Sequence, residues 1–305
     1  MPRFFMGVSI PFEPLTSSPD SSVPGVAAIW QTSRFRVDLS RPKVMGIVNA
    51  TPDSFSDGGA YFSRDQPERV LSHCDRLLRE GADMLDIGAE STRPGATALP
   101  LEEELARLLP VLRHALTLGV PVSVDTYKPQ VMQAALDLGA DIINDIWALR
   151  QPGAAAVVAA HPSCGVCLMH MHREPQTMQA KPMEGEVLPQ VRDFLNDRSV
   201  VLLAMGVAGE RIVLDPGIGF GKTVAQNFEL LRRQAELSVL GHGLLAGWSR
   251  KSSLGAVCDP SGQAAERMLP SVAAAVLAVE RGARIVRVHD VHETATALKI
   301  WAASS

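Results

Sequence analysis

VPVSVDTYKPQVMQAALDLGADIINDI, residues 120–146, holds a complete structural unit. A short apolar run ends at Asp125, residues 128–138 place apolar side chains at helical spacing, Gly139 follows, and a second apolar run ends at Asn144 and Asp145. Strand, helix, glycine, strand is the order of a parallel pair, because a parallel neighbour needs a long crossover. The same order recurs outward in both directions. KVMGIVN (43–49), DMLDIG (83–88), VPVSVD (120–125), DIINDI (141–146), CGVCLMH (164–170), RIVLDPG (211–217), LLAGWSRK (244–251) and RIVRVH (284–289) are eight apolar runs ending in polar residues, each with a helix-like stretch after it. Eight such units close a (β/α)8 barrel, whose chemistry gathers at the C-terminal strand ends.

The expected fold is therefore α/β: a single (β/α)8 TIM barrel over residues 41–305 behind a partly irregular N-terminal extension, residues 1–40. Within the extension, PFEPLTSSPDSSVPG (11–25) is rich in Pro and Ser and lacks periodicity, whereas FRVDLS (35–40) reads as a short strand capping the barrel floor. Helical spacing covers 64–80, 101–118, 128–138 and 271–281, each followed by glycine at 81, 119, 139 or 282. Further helices are expected over 184–205, 225–240 and 291–301, and AAAVVAA (154–160) reads as a helix flank. An open doubly wound sheet would need a glycine fingerprint after the first strand, where ATPDSFSDGG (50–59) stands instead.

With 46% hydrophobic and 20% charged residues, the chain suits a globular protein with a large core. A net charge of −4 argues against nucleic acid as a partner, and no apolar stretch reaches membrane-spanning length. Four cysteines in 305 residues and the lack of a secretory signal pattern fit a cytoplasmic protein. Cys164 and Cys167 lie inside an apolar run without a second pair, so they read as small buried residues rather than a zinc or redox motif.

Asp125, Asn144 and Asp215 end three different strands and would converge on one cavity. Ionised carboxylates accept only, so two of them suit a ligand edge with several N–H donors, such as a pterin or guanine. Lys251 offers a cation for a ring carbonyl or nitrogen, unless Asp125 and Lys251 simply pair with each other. Arg93, Arg287 and His289 form a second, cationic group suited to phosphate, with an Arg287–Asp290 ion pair as the plain alternative. Asn49 offers oxygen to Mg²⁺, which commonly shares its ligands with substrate phosphates. DPGIGFGKT (215–223) fails the Walker and dinucleotide spacings and leaves a carboxylate followed by a small-residue loop. His170 and His172 read as strand-end packing, and no nucleophile elbow is present.

VMGIVNATPDSFSDGG (44–59), DIGAESTRPGA (86–96), VSVDT (122–126), INDI (143–146), LMHM (168–171), LDPGIGFGK (214–222), SRKSSLG (249–255) and RVHDV (287–291) together resemble the dihydropteroate synthase family, in that family's order. The resemblance implies condensation of 7,8-dihydropterin-6-ylmethyl diphosphate with 4-aminobenzoate, giving 7,8-dihydropteroate and diphosphate in folate biosynthesis. It implies Mg²⁺, a homodimer and a sulfonamide target. By matching positions, Asp125, Asn144, Asp215 and Lys251 would bind the pterin, with Ile146, Met169, Gly219 and Phe220 lining its ring. Arg93, Arg287 and His289 would hold the diphosphate and Asn49 would contact the metal. Phe55, Thr92, Pro94 and Ser249 would shape the aminobenzoate pocket, and Asp57 would order the first loop during catalysis. Ala50, Ile218 and Arg173 depart from the usual residues without removing any of these groups. A catalytically silent pterin-binding paralogue is the alternative; it would show damage in the first two loops, where Asn49, Asp53, Asp57, Thr92 and Arg93 all stand.

Overall fold

The computed structural model describes residues 28–50, 67–91, 98–174, 177–178, 180–259 and 263–304. Its centre is a closed barrel of eight parallel strands: β3 (Lys43–Asn49), β4 (Met84–Gly88), β5 (Val122–Asp125), β6 (Ile142–Asp145), β7 (Gly165–Met169), β8 (Ile212–Asp215), β9 (Gly243–Ala246) and β10 (Ile285–Val288), which pairs back onto β3. Both faces of each strand are covered, so the strands read as apolar runs rather than as alternating patterns. Helices α1 (Pro67–Arg79), α2 (Leu101–Ala115), α3 (Pro129–Leu138), α4 (Ala154–Ala160), α5 (Val187–Ala204), α6 (Val224–Arg233), α7 (Ser252–Cys258), α8 (Met268–Glu280) and α9 (Val291–Ser304) follow the strands in turn. Val44, Val124, Ile143, Val166 and Leu214 pack outward against that ring in the main core.

Local chemistry sets the helix limits. Gly139 caps α3 at φ +108°, its N–H on the Ala135 carbonyl, a conformation that a side chain would strain. Thr223 and Gln226 form a reciprocal capping box that starts α6. Some expected bounds shift. AAAVVAA is the short helix α4 itself rather than a flank, since Val158 and Ala154 are buried against the core. The stretch 225–240 divides into α6 and a tighter 3₁₀ turn, Gln234–Leu240. Helix α2 ends at Ala115, three residues before the expected stop.

The expected floor strand is one arm of a hairpin. β1 (Ile29–Gln31) pairs antiparallel with β2 (Arg36–Asp38). Trp30 is fully buried, and its indole N–H donates to the Arg211 carbonyl at 2.9 Å. Around it lie Met45, Met84, Ile142, Cys167, Val213, Leu245 and Ile285, the inward-facing residues of the lowest barrel layer. Arg34 fastens the hairpin by an ion pair of 2.6 Å to Asp141, which is itself fully buried. Residues 28–40 are thus the plug of the barrel rather than a loose leader. Gly165 is small because an added methyl would sit 3.0 Å from the Trp30 indole nitrogen. Cys164 and Cys167 are free and buried, as the sequence suggests.

Trp30→Ala should therefore destabilise the fold by about 3–5 kcal/mol, the usual loss for a large buried aromatic. Urea unfolding reads this directly, and a loss under about 1 kcal/mol would mean that the plug is dispensable.

Candidate active site

The floor layer is apolar, but the layer above it is charged. Asp86 lies in the middle of β4, and Asp125, Asn144 and Asp215 end β5, β6 and β8. Strand register sets Asp125 beside Asn144 and Met169 beside Asp215. Arg287 reaches inward from β10. Its Nε donates to Asp86 at 2.6 Å and its Nη2 to Asp125 at 2.8 Å. The Asn144 amide donates to the same Asp86 oxygen at 3.1 Å. The second Asp86 oxygen is buried without a hydrogen-bond partner among the described residues. Burial pushes the Asp125 carboxyl up to about 7, against the pull of the Arg287 guanidinium. For Arg287, burial disfavours the charge but the two carboxylates outweigh it and hold the guanidinium protonated.

This geometry revises two expectations. Asp125 pairs with Arg287, not with Lys251, and Asp290 pairs with Arg250 at 2.8 Å, not with Arg287. The reason is the strand pleat: successive side chains alternate between faces, so Arg287 and Asp290 leave the chain on opposite sides. Arg287 also stands deeper than a residue dedicated to phosphate, with its Nε and Nη2 already engaged by carboxylates.

A second group gathers across the mouth. Ile146, Met169, Met171, Met178 and Phe220 form one buried apolar cluster with Tyr127 and Trp147 at its edge. The Lys251 ammonium stands 4.2 Å from the centre of the Phe220 ring, within cation–π range. Gly219, at φ +83°, lets the backbone pass the Lys251 stem, where a methyl would approach it at 3.3 Å. Asp215 accepts the Gly217 N–H at 2.7 Å. Burial raises the Asp215 carboxyl and lowers the Lys251 ammonium to about 8, while each charge favours the other. Asp125, Asn144, Asp215 and Lys251 thus stand at the same end of the barrel as the cluster of Ile146, Met169 and Phe220.

The rim carries the remaining expected residues. Asn49 ends β3, and Ser249 and His289 are joined: the Ser249 oxygen lies 2.9 Å from His289 Nδ1 and accepts the His289 backbone N–H at 3.1 Å. Phe55, Asp57, Thr92, Arg93 and Pro94 lie outside the described residues. His170 is a buried packing residue, edge-on to Phe194 at 5.0 Å, and burial pushes its imidazole down to about 2. Among the described residues, no three His, Cys, Asp or Glu side chains gather as a metal site would require. An ion at Asn49 would therefore draw most of its oxygens from a ligand, which fits Mg²⁺ carried by a diphosphate.

Three neighbours received no role of their own from the sequence, although Asp86 and Glu90 stand at the end of its second apolar run. Asp86 orients both Asn144 and Arg287; its signal was a carboxylate in the middle of an apolar strand. Glu90 and Lys128 form the others. Lys128 bonds Glu90, the Glu104 carboxylate at 2.6 Å and the Leu99 carbonyl at 2.6 Å, and Tyr127 donates to Glu90 at 2.7 Å. Their separation along the chain hid that network.

Residues 45–289 match the model of the pterin binding enzyme family. Dihydropteroate synthase from Neisseria meningitidis serogroup B is 50% identical over 279 residues, covering 90% of this chain and 97% of that protein. The crystal structure of Burkholderia cenocepacia dihydropteroate synthase complexed with 7,8-dihydropteroate is 49% identical and superposes with a TM-score of 0.81, over 92% of this chain and 97% of the other. The Xanthomonas albilineans dihydropteroate synthase with 4-aminobenzoic acid is 45% identical with a TM-score of 0.83, over 92% and 98%.

Removing one member of a buried ion network leaves uncompensated charge, so Arg287→Met should cost about 3–5 kcal/mol. The loss has a sign in pH. Without Arg287, Asp125 is protonated in the folded protein to still higher pH, so the folded state binds more protons than the unfolded chain and stability falls as pH rises. Urea unfolding from pH 5 to 8 should show the deficit growing with pH; a constant deficit would contradict the network.

Proposed function

The chain belongs to the dihydropteroate synthase family of pterin binding enzymes, and we propose that it joins 7,8-dihydropterin-6-ylmethyl diphosphate to 4-aminobenzoate, giving 7,8-dihydropteroate and diphosphate. What supports this reading is that Asp125, Asn144, Asp215 and Lys251 gather at the strand ends beside the apolar cluster of Met169 and Phe220. Two carboxylates accept from the 2-amino and ring N–H groups of a pterin, Asn144 supplies both a donor and an acceptor, and Lys251 donates to the ring carbonyl or nitrogen. The apolar side chains hold the ring faces, and Arg287 keeps one nitrogen beyond the two bonded to Asp86 and Asp125.

The reaction follows from charge. The bond from the pterin methylene carbon to the diphosphate oxygen breaks, and the electron pair leaves with the diphosphate. Arg287, His289 and Arg93 supply positive charge where the leaving group's negative charge grows. Asn49 would hold Mg²⁺, which would supply further positive charge where the diphosphate departs. The methylene cation is conjugated with the dihydropterin ring, and the Asp125 and Asp215 carboxylates stabilise it through the ring edge. The arylamine nitrogen then forms the new bond and gives up one proton. Phe55, Thr92, Pro94 and Ser249 shape the arylamine's pocket, Asp57 orders the first loop, and an arylamine mimic such as a sulfonamide competes there. No covalent enzyme intermediate is required, in keeping with the absence of a nucleophile elbow.

Two copies would pair through the outer face of α7, α8 and α9. That reading is supported by Val257, Leu269 and Ile300, apolar side chains of α7, α8 and α9 that are 63%, 74% and 71% exposed. Among the described residues no helix is long and apolar enough to cross a membrane, and the four free cysteines favour a cytoplasmic setting.

The deciding experiment is aminobenzoate-dependent diphosphate release from dihydropterin-methyl diphosphate, with and without Mg²⁺. Stoichiometric dihydropteroate and diphosphate, dependent on Mg²⁺, are expected; tight pterin binding without turnover would identify a silent pterin-binding protein instead. Asp215→Asn keeps the oxygen that accepts the Gly217 N–H but turns an NH₂ toward the pterin's own donor. Pterin affinity should fall by about tenfold or more, and calorimetric titration showing unchanged affinity would remove Asp215 from the pterin edge.

A further inference from the structure

We infer that Lys222 is a positioning residue of the pterin pocket: its ammonium clamps the glycine loop 216–221 to the end of β7 and so fixes the gap between Met169 and Phe220. This rests on the pterin reading of that pocket. Lys222 is only 4% exposed, yet none of its hydrogen bonds among the described residues goes to a carboxylate. Instead Nζ donates to the Gly217 carbonyl at 2.7 Å, the Phe220 carbonyl at 3.2 Å and the His170 carbonyl at 3.3 Å. An ammonium has three N–H donors, so all are engaged. Two hold the loop that carries Gly219 and Phe220, and the third holds the residue that follows Met169.

The backbone geometry explains why a cation stands there. Gly217 has φ +67°, and a methyl on it would lie 1.9 Å from the His170 carbonyl oxygen. Gly221 has φ +70°, with a methyl position 2.7 Å from both Cβ and the carbonyl oxygen of His172. The loop is thus laid backbone to backbone on the chain leaving β7, which only glycine permits. That approach turns three carbonyl dipoles toward one small volume, where they repel one another unless a positive charge lies between them. Burial lowers the Lys222 ammonium to about 7, and the Asp215 charge opposes that loss.

Two further bonds hold the same loop. Asp215 accepts the Gly217 N–H, and Asn227 accepts the Gly219 N–H at 2.8 Å. The Asn227 amide also donates to Ser253 at 2.9 Å, in the first turn after Lys251. The wall is therefore built before any ligand arrives, which lowers the ordering cost of binding a flat ring. A lysine that merely stabilised the fold would affect every ligand alike. Lys222 bonds the carbonyl of Phe220 and makes none of its hydrogen bonds among the described residues to Ser249 or His289, so its loss should separate the two ligands.

The test compares Lys222→Met, which keeps the stem length without donors, with the wild-type protein. Binding of 6-hydroxymethyl-7,8-dihydropterin and, separately, of inorganic diphosphate with Mg²⁺ is measured by calorimetry. Pterin affinity should fall by about tenfold or more while diphosphate affinity stays within about twofold. Unchanged pterin affinity, or an equal loss of both ligands, would overturn the inference. A wild-type protein that binds no pterin would instead overturn the pocket reading beneath it. If Lys222→Met does not fold, Lys222→Gln, which keeps a donor, is measured in the same way: pterin affinity should fall while diphosphate affinity holds, and an equal loss of both would refute the inference.

Discussion

Everything at the mouth of this barrel depends on one guanidinium held between two carboxylates. Arg287 bridges Asp86 and Asp125 at 2.6 and 2.8 Å in a space enclosed by eight strands. Burial pushes the Asp125 carboxyl up, and the bridge opposes that push. It also fixes the direction of both carboxylates. Asn144 is tied into the same centre through Asp86. In the neighbouring pair, Asp215 and Lys251, each charge likewise works against the other's loss on burial.

The barrel separates stability from chemistry along its axis. Below, Trp30 and a ring of inward apolar side chains close the floor and exclude water. Above, charge replaces hydrocarbon, and each polar group stands on the end of a rigid strand. A ring recognised by strand ends is held more precisely than one held by loops alone. The glycine loop is the exception that behaves like a strand end, because Asp215, Asn227 and Lys222 bond its backbone directly.

The sequence disclosed the barrel because parallel strands buried on both faces leave unmistakable apolar runs, and because glycine marks the helix ends, as at Gly139. It disclosed Asp125, Asn144, Asp215 and Lys251 because polar residues at the ends of such runs have nowhere to go but the mouth. It did not disclose the direction of Arg287: the residue reads equally as a phosphate ligand, and only the pleat and the approach of Asp86 turn it inward. The hairpin of residues 29–38 was half seen, since FRVDLS looks like a strand but its partner strand is only three residues long. Lys128 and Lys222 were missed for a different reason. Their partners are mostly backbone carbonyls or residues more than twenty positions away, and neither relation leaves a local pattern.

The central claim is that Arg287 sets the charge of Asp125. Carbon-13 NMR of labelled aspartate carboxyls, in wild-type protein and in Arg287→Met, titrates that group in place. An Asp125 midpoint near the value of about 7, displaced upward in the variant and downward when the pterin binds, is the predicted result. The same midpoint in both proteins would contradict the account, because the guanidinium would then be a neighbour of Asp125 and not the reason it is charged.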